Sequence, residues 1–342
     1  MRCSPLPDLL ALAAAVLSLS ATPVWADNLL DIYQQAAAND TAWAGARYNY
    51  DANIEKGVQG RALLLPAVVF NAGKHKNSID KTSPTSEMAR YDSSEYTLQL
   101  TQPLYRRQNS SAYVQGKSAV TQAVAELAIA RQDLILRTTQ AYFEVLAAED
   151  GLEFARSEKA AIAGQRELAE RNFNVGNATI VDVHEARARY DLAVAQEVAA
   201  DNDLRVKRET LTTLTNAPTP VLAKLAPNLT LQSPEPQDMD LWVKAAQEQN
   251  PRIKVQEQLL TIATEEVKRS RGGYYPTLDL VASHNYSKSD SVFVPGTTEY
   301  TSNQVGVQLQ VPLFQGGATL SQVRESLARE AQTRQALEQI KR

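Results

Sequence analysis

The chain has 342 residues, 44% of them hydrophobic but only 6% aromatic, with 35 basic against 39 acidic side chains and a net charge of −4. That balance provides no basic footprint for nucleic acid. A single cysteine, Cys3, excludes an internal disulfide, and abundant alanine suits close-packed long helices better than a bulky globular interior.

In residues 1–26, Arg2 precedes an apolar core, residues 9–17, and the segment ends in Val24-Trp25-Ala26. This three-part pattern predicts a secretory signal peptide cleaved after Ala26. Cys3 lies ahead of the apolar core, so it is not placed for lipid attachment. Cleavage removes it, leaving no thiolate nucleophile or cysteine metal ligand. No later stretch has 18 consecutive apolar residues, so no transmembrane helix is expected. An exported chain of this kind is either soluble or part of a β-barrel.

Residues 29–63 form a proline-free helical stretch that Pro66 ends. The period then becomes alternating, with Val68, Phe70 and Ala72 on one face. Tyr96, Leu98 and Leu100 come next, set against Thr97, Gln99 and Thr101. These runs predict a strand pair over about 66–76 and 94–104, with a polar loop at 74–93.

Residues 108–171 contain no proline, and 64 residues of helix would reach roughly 96 Å. Ala119, Ala123, Leu127, Leu134, Tyr142, Val145 and Leu152 supply a narrow apolar stripe, as in a coiled coil. Asn174-Val175-Gly176-Asn177 interrupts the run. Glycine and asparagine tolerate the positive φ of a reversal, so this reads as the tip of an antiparallel helical hairpin. Thr179 can cap the returning helix, with Asp182 three residues later in a loose capping box. That helix is expected to run to about residue 214, before Asn216-Ala217-Pro218. A Pro-rich linker at 217–236 comes after it.

The pattern then repeats. A helical stretch at 241–270 carries Pro251 in its first turn and ends at Gly272-Gly273. After Pro276, Leu278, Leu280, Ala282 and Tyr286 alternate with polar residues, and Val305, Val307 and Leu309 do so further on. This predicts strands at about 276–287 and 302–313 with a polar loop at 287–302. Residues 30–39 parallel 241–250, Leu64-Leu65-Pro66 parallels Tyr274-Tyr275-Pro276, and Thr101-Gln102-Pro103-Leu104-Tyr105 parallels Gln310-Val311-Pro312-Leu313-Phe314. The offset stays between 209 and 211 residues, so two copies of one unit are expected. The first occupies 27–240 and the second, cut short, 241–342.

Strands apolar on one face and small-polar on the other match a lipid-facing barrel wall. A half-buried sheet of a soluble protein shows the same alternation. Pattern alone does not separate the two; rod-length helices favour the first.

At this point the chain resembles the TolC family of outer-membrane efflux and type I secretion proteins. The residues carrying the likeness are Arg171 and Phe173 through Gly176, then Asp182-Val183 and Ala186. Tyr275-Pro276-Thr277-Leu278 and Pro312-Leu313-Phe314-Gln315-Gly316-Gly317 complete it. The likeness implies an α+β membrane protein: long α-helical hairpins forming a periplasmic tunnel, and four strands per protomer in a shared twelve-stranded outer-membrane barrel. It implies a homotrimer that meets outer-membrane lipid and works with a periplasmic adaptor (membrane fusion) protein and an inner-membrane transporter. Phe173, Asn174, Val175, Gly176 and Asn177 would be the adaptor-docking tip, and Asp182 would sit at the periplasmic aperture. Val68, Phe70, Leu98, Leu100, Leu278, Leu280, Val307 and Leu309 would face lipid. A second hairpin tip would fall near residue 386, beyond Arg342, so the sequence reads as C-terminally incomplete. The competing reading is a soluble periplasmic coiled-coil adaptor or scaffold.

No constellation for catalysis, cofactor or metal stands out. His75, His184 and His284 are far apart in sequence and lack companion ligands. His75 and His284 are expected at strand ends. The Gly-Gly pairs lack the remainder of a nucleotide fingerprint.

Overall fold

A computed structural model describes residues 26–81, 87–218, 221–226, 232–290 and 296–342. The signal peptide expectation falls almost wholly outside them. The described chain contains helices α1 (Leu29–Asn39), α2 (Thr41–Ala62), α3 (Arg107–Asn174), α4 (Ile180–Thr215), α5 (Met239–Gln249), α6 (Pro251–Arg271) and α7 (Ala318–Lys341). Strands β1 (Ala67–Lys81), β2 (Glu87–Tyr105), β3 (Thr277–Asp290) and β4 (Thr297–Gln310) complete it. Two compact units emerge: Met1–Ala44 with Arg131–Gln232, and Gly45–Ala130 with Ser233–Arg342. Helices α2 and α3 contribute residues to both.

In the first unit, α1 buries Ile32 and Ala36. Ile32 joins Tyr142, Val145 and Leu152 of α3 and Leu204 and Leu211 of α4 in one apolar cluster. The linker after α4 enters that core through Leu222. Asp27 and Leu222 form a parallel bridge, in which the Asp27 N–H donates to the Val221 carbonyl at 2.9 Å and the Ala223 N–H to the Asp27 carbonyl at 3.0 Å. Tyr142 Oη donates to the Ala223 carbonyl at 2.7 Å, which satisfies the polar end of a buried ring.

Around the narrow apolar seam, α3 and α4 are tied by charge pairs. Lys207 Nζ lies 3.1 Å from Glu144, Arg208 Nη2 2.8 Å from Glu149, and Arg187 Nε 3.1 Å from Glu170. Glu197 receives both Lys159 and Arg156. Exposed pairs of this kind contribute little individually; they hold the register of the two rods while the apolar seam supplies most of the stability.

The helical stretch ahead of each strand pair breaks at a corresponding place, where the sequence pattern suggested an unbroken helix. Asp40, with φ −63° and ψ 121°, separates α1 from α2; Asn250, with φ −63° and ψ 120°, separates α5 from α6. Each side chain caps the second helix of its pair: Asp40 accepts the Trp43 N–H at 2.7 Å and Asn250 the Arg252 N–H at 2.9 Å. Pro251 then occupies the first helical position, where its missing N–H costs nothing. Asp40 is buried and also takes Arg137 Nη1 at 2.8 Å. Burial pushes its carboxyl up, but the Trp43 N–H and Arg137 outweigh burial and leave it below the ordinary aspartate range. This contribution to stability is present above that range and is lost as pH falls through the lowered value.

In the second unit, the strands form one antiparallel sheet in the order β1-β2-β3-β4. They run further than the alternation suggested. β1 continues to Lys81 and β2 starts at Glu87, because cross-strand pairing persists from Asn77–Tyr91 to Lys81–Glu87 although the side chains there are mostly polar. His75 and His284 therefore lie within strands and not at their ends. At the other end, pairing shifts register between Pro103 and Tyr105, and β4 stops at Gln310, ahead of Pro312. Arg106 Nε and Nη2 grip the two carboxylate oxygens of Asp279 at 2.8 and 2.6 Å, a fork-to-fork pair joining the start of α3 to β3.

Helices α2 and α3 approach closely through glycine. A Cβ on Gly116 would lie 2.5 Å from the Lys56 carbonyl oxygen, and one on Gly60 3.2 Å from the Ala112 carbonyl oxygen. Gly116→Ala should therefore force the backbones apart and cost about 1–3 kcal/mol. Gly151→Ala, in open space on the same helix, should stabilise it by up to about 1 kcal/mol. Thermal unfolding followed by circular dichroism separates the two.

Candidate membrane-facing sheet and hairpin tip

Directly paired residues share one face of a sheet, and the register sorts all eight expected lipid-facing residues onto the same face. Val68 opposes Leu100 and Phe70 opposes Leu98. Leu100 continues to Ala282 and Val305, and Gln102 to Leu280 and Val307. Leu278 opposes Leu309. Phe70 and Leu309 are each 63% exposed and Val68 and Val307 each 61%, whereas Leu100, Leu278 and Leu280 are half-buried. So much exposed aliphatic surface on one sheet face calls for an apolar partner.

The opposite face is polar. Its rungs read Val69–Gln99–Ser283–Gln304, Asn71–Thr97–Asn285–Ser302 and Gly73–Glu95–Ser287–Tyr300. His75 comes next on this face, its Nε2 3.6 Å from Glu95 Oε1. Asp279 also belongs here, buried under Arg106. Sequence reasoning missed that pair, since 173 residues separate its members and neither carries a local signal.

At the hairpin tip, the Asn177 N–H donates to the Asn172 carbonyl at 2.8 Å and the Gly176 N–H to the Phe173 carbonyl at 3.0 Å. This is a Schellman ending, with Gly176 at φ +83° supplying the left-handed residue. Asn174 and Asn177 do not adopt positive φ; among the described non-glycine residues only Asn216 does. One glycine suffices for the reversal. All five tip residues are exposed, Val175 by 70%, and Ile180 and Val181 beside them are also exposed.

The capping box predicted from Thr179 and Asp182 is formed. Asp182 Oδ2 accepts the Thr179 N–H at 2.7 Å and its hydroxyl at 2.8 Å, and the Asp182 N–H donates to Thr179 Oγ1 at 3.3 Å. The Thr179 backbone N–H, then its hydroxyl, hold the exposed Asp182 carboxyl below its ordinary range. The cap is thus complete above the ordinary aspartate range and is lost as pH falls through the lowered value. Asp182→Ala should speed amide exchange at Thr179 and Asp182 several-fold at neutral pH, and acidification should remove the difference between variant and parent. Exchange measured by mass spectrometry on tip peptides checks this.

The model of the family described as "Outer membrane efflux protein" matches residues 32–217 and 242–342. The chain belongs to that family. Outer membrane protein TolC of Vibrio cholerae is 32% identical over 315 residues, covering 92% of this chain and 71% of that protein. Alkaline protease secretion protein AprF of Pseudomonas aeruginosa is 33% identical over 325 residues, 93% and 67% of the two chains. Among solved structures, the Vibrio cholerae outer membrane protein VceC superposes with a TM-score of 0.74 at 19% identity, over 92% of this chain and 75% of that one. The Campylobacter jejuni CmeC outer membrane channel gives 0.74 at 17%, over 91% and 67%. These two likenesses speak to fold. This outer membrane efflux protein is accordingly a channel-tunnel of the Gram-negative outer membrane, with helices extending into the periplasm. The expected fold class, long helical hairpins with four strands per protomer, stands.

Proposed function

We propose that this chain is one protomer of a homotrimeric exit duct for drug efflux or type I protein secretion, conducting passively while an inner-membrane transporter supplies the energy. The observation that carries the oligomeric part of this reading is the four-stranded sheet with an exposed aliphatic face and unpaired edges at β1 and β4. Four strands do not close a barrel, since the smallest have eight. Open edges in lipid leave backbone groups unsatisfied at several kcal/mol each. Several copies sharing one barrel remove that cost; that they number three, giving twelve strands, is what the family likeness implies. A periplasmic adaptor or scaffold has no use for duplicated strand pairs with an aliphatic face.

In this reading Val68, Phe70, Leu98, Leu100, Leu278, Leu280, Val307 and Leu309 meet the lipid. Phe173 to Asn177 dock the adaptor, for which their exposure suits them. Asp182 lies at the periplasmic aperture, with its carboxylate already engaged by Thr179. Residues 1–26 are the export signal, and 27–240 and 241–342 are the two copies of the repeat.

The test is cell fractionation with unheated detergent electrophoresis. The protein should float with outer-membrane lipid and run at three times its monomer mass until boiled. A soluble periplasmic monomer would end the proposal. For docking, a photo-crosslinker at Val175 should capture an adaptor, while one at Phe154, exposed on α3 away from the tip, should not.

A further inference from the structure

The polar face of the sheet carries far less charge than the chain as a whole. Its rungs begin at Pro103–Asp279–Gln308 and continue through Ala67–Thr101–Val281–Gly306 and the rung of Ser283 to Asn71–Thr97–Asn285–Ser302. Charged residues make up 22% of the sequence. Across these four rungs the one ionisable side chain is Asp279; the others are amides, hydroxyls and small or aliphatic groups. Asp279 is only 7% exposed, and Arg106 takes both of its carboxylate oxygens. The next charge outward on this face is Glu95, on the rung beyond Asn71, with His75 as its partner.

We propose that this stretch of the sheet is a charge-neutral lining of the duct, and that Arg106 keeps it neutral by masking Asp279. The proposal rests on the reading that the aliphatic face meets lipid and the polar face therefore lines the lumen; it adds what that lumen lets pass. A bare carboxylate repeated in every copy would make a ring of like charge at one end of the barrel, and such rings attract cations and repel anions. Gripped fork to fork by a guanidinium, the carboxylate becomes part of a dipole without net charge. Amides and hydroxyls donate and accept hydrogen bonds and favour neither sign. The cargo that suits such a lining is one of mixed charge, whose anionic and cationic groups both pass this section without an electrostatic barrier.

The Arg106–Asp279 pair also ties α3 to β3. Neutral amides make the neighbouring ties: Gln102 Nε2 donates to the Leu64 carbonyl at 3.0 Å and Asn109 Nδ2 to the Leu63 carbonyl at 2.6 Å. A tie alone therefore needs no charge, and a charge once present on the lumen face needs an opposite one over it. Measuring the local potential separates the two roles.

Gln308 stands directly opposite Asp279 and is exposed, so a thiol there reports on the pair. In a Cys3→Ser background, Gln308→Cys oligomer is purified in detergent at low ionic strength, where screening is weak. Its modification rates with trimethylammonioethyl and sulfonatoethyl methanethiosulfonate are followed by mass spectrometry. Their ratio, divided by the ratio for a small free thiol, reads the sign of the potential. At roughly 8 Å in water a unit charge changes each rate about 2-fold in opposite senses, so an unmasked charge should move the ratio about 5-fold.

With Arg106 and Asp279 intact the normalised ratio should stay within about 2-fold of unity. Arg106→Gln should shift it about 5-fold toward the cationic reagent and Asp279→Asn about as far toward the anionic one, while Arg106→Gln with Asp279→Asn should restore it. Asp279→Asn and the double variant carry the test should Arg106→Gln alone not assemble. A cationic preference with the pair intact, or a ratio that neither single variant moves, would overturn the masking while the lumen reading stands. A thiol at 308 that reacts with neither reagent until the protein is denatured would place this face out of water, and the lumen reading would fall together with the proposal.

Discussion

Leu100→Arg is expected to abolish most assembly in the outer membrane. Leu100 lies on the central strand β2, on the rung Val68–Leu100–Ala282–Val305, midway along the aliphatic band. An arginine facing lipid near the bilayer midplane costs about 2–4 kcal/mol, and in a symmetric oligomer every copy carries that cost. Gln99→Arg, one residue earlier, points to the polar face and should be nearly neutral. The measurement is the fraction of detergent-resistant oligomer recovered from outer membranes for each variant. Equal loss for both would mean that the alternation does not separate lipid from lumen.

Leu211→Ala should be the most damaging single truncation in the first unit. Leu211 is fully buried and packs in the cluster that holds Ile32 of α1, Val145 of α3 and Leu222 of the linker. Removing a fully buried leucine costs about 2–5 kcal/mol, the lost transfer free energy plus the cavity left behind. Leu192→Ala, on the same helix but 60% exposed, should change stability by less than about 0.5 kcal/mol. Urea unfolding followed by helical circular dichroism distinguishes them through the midpoint. The functional consequence is that α1 and the linker should loosen together, because both reach the core through side chains touching the same cluster.

Local rules were sufficient for several features. The 3.6 and 2.0 periods separate helix from strand wherever one face is apolar, and Gly176 and Thr179 mark the turn because their chemistry acts within a few residues. Strand ends were misjudged where both faces turn polar: there backbone pairing with a neighbouring strand, not side-chain pattern, keeps the chain extended. The break at Asp40 escaped notice for a related reason, since neither proline nor glycine marks it and its stabilising partner Arg137 is 97 residues away.

By itself the sequence determined the duplicated order of helix, strand pair and helix, the hairpin reversal and which residues alternate within each strand. These depend on period, proline position and capping, all of them short-range. Only the tertiary structure decided which strands pair and in what register, and so that eight aliphatic and aromatic side chains from four strands share one face. It likewise decided the Arg106–Asp279 fork, the glycine crossing at Gly116 and the entry of Leu222 into the core. Each of these is a contact between residues distant in the chain, whose free energy exists only once folding has brought them together.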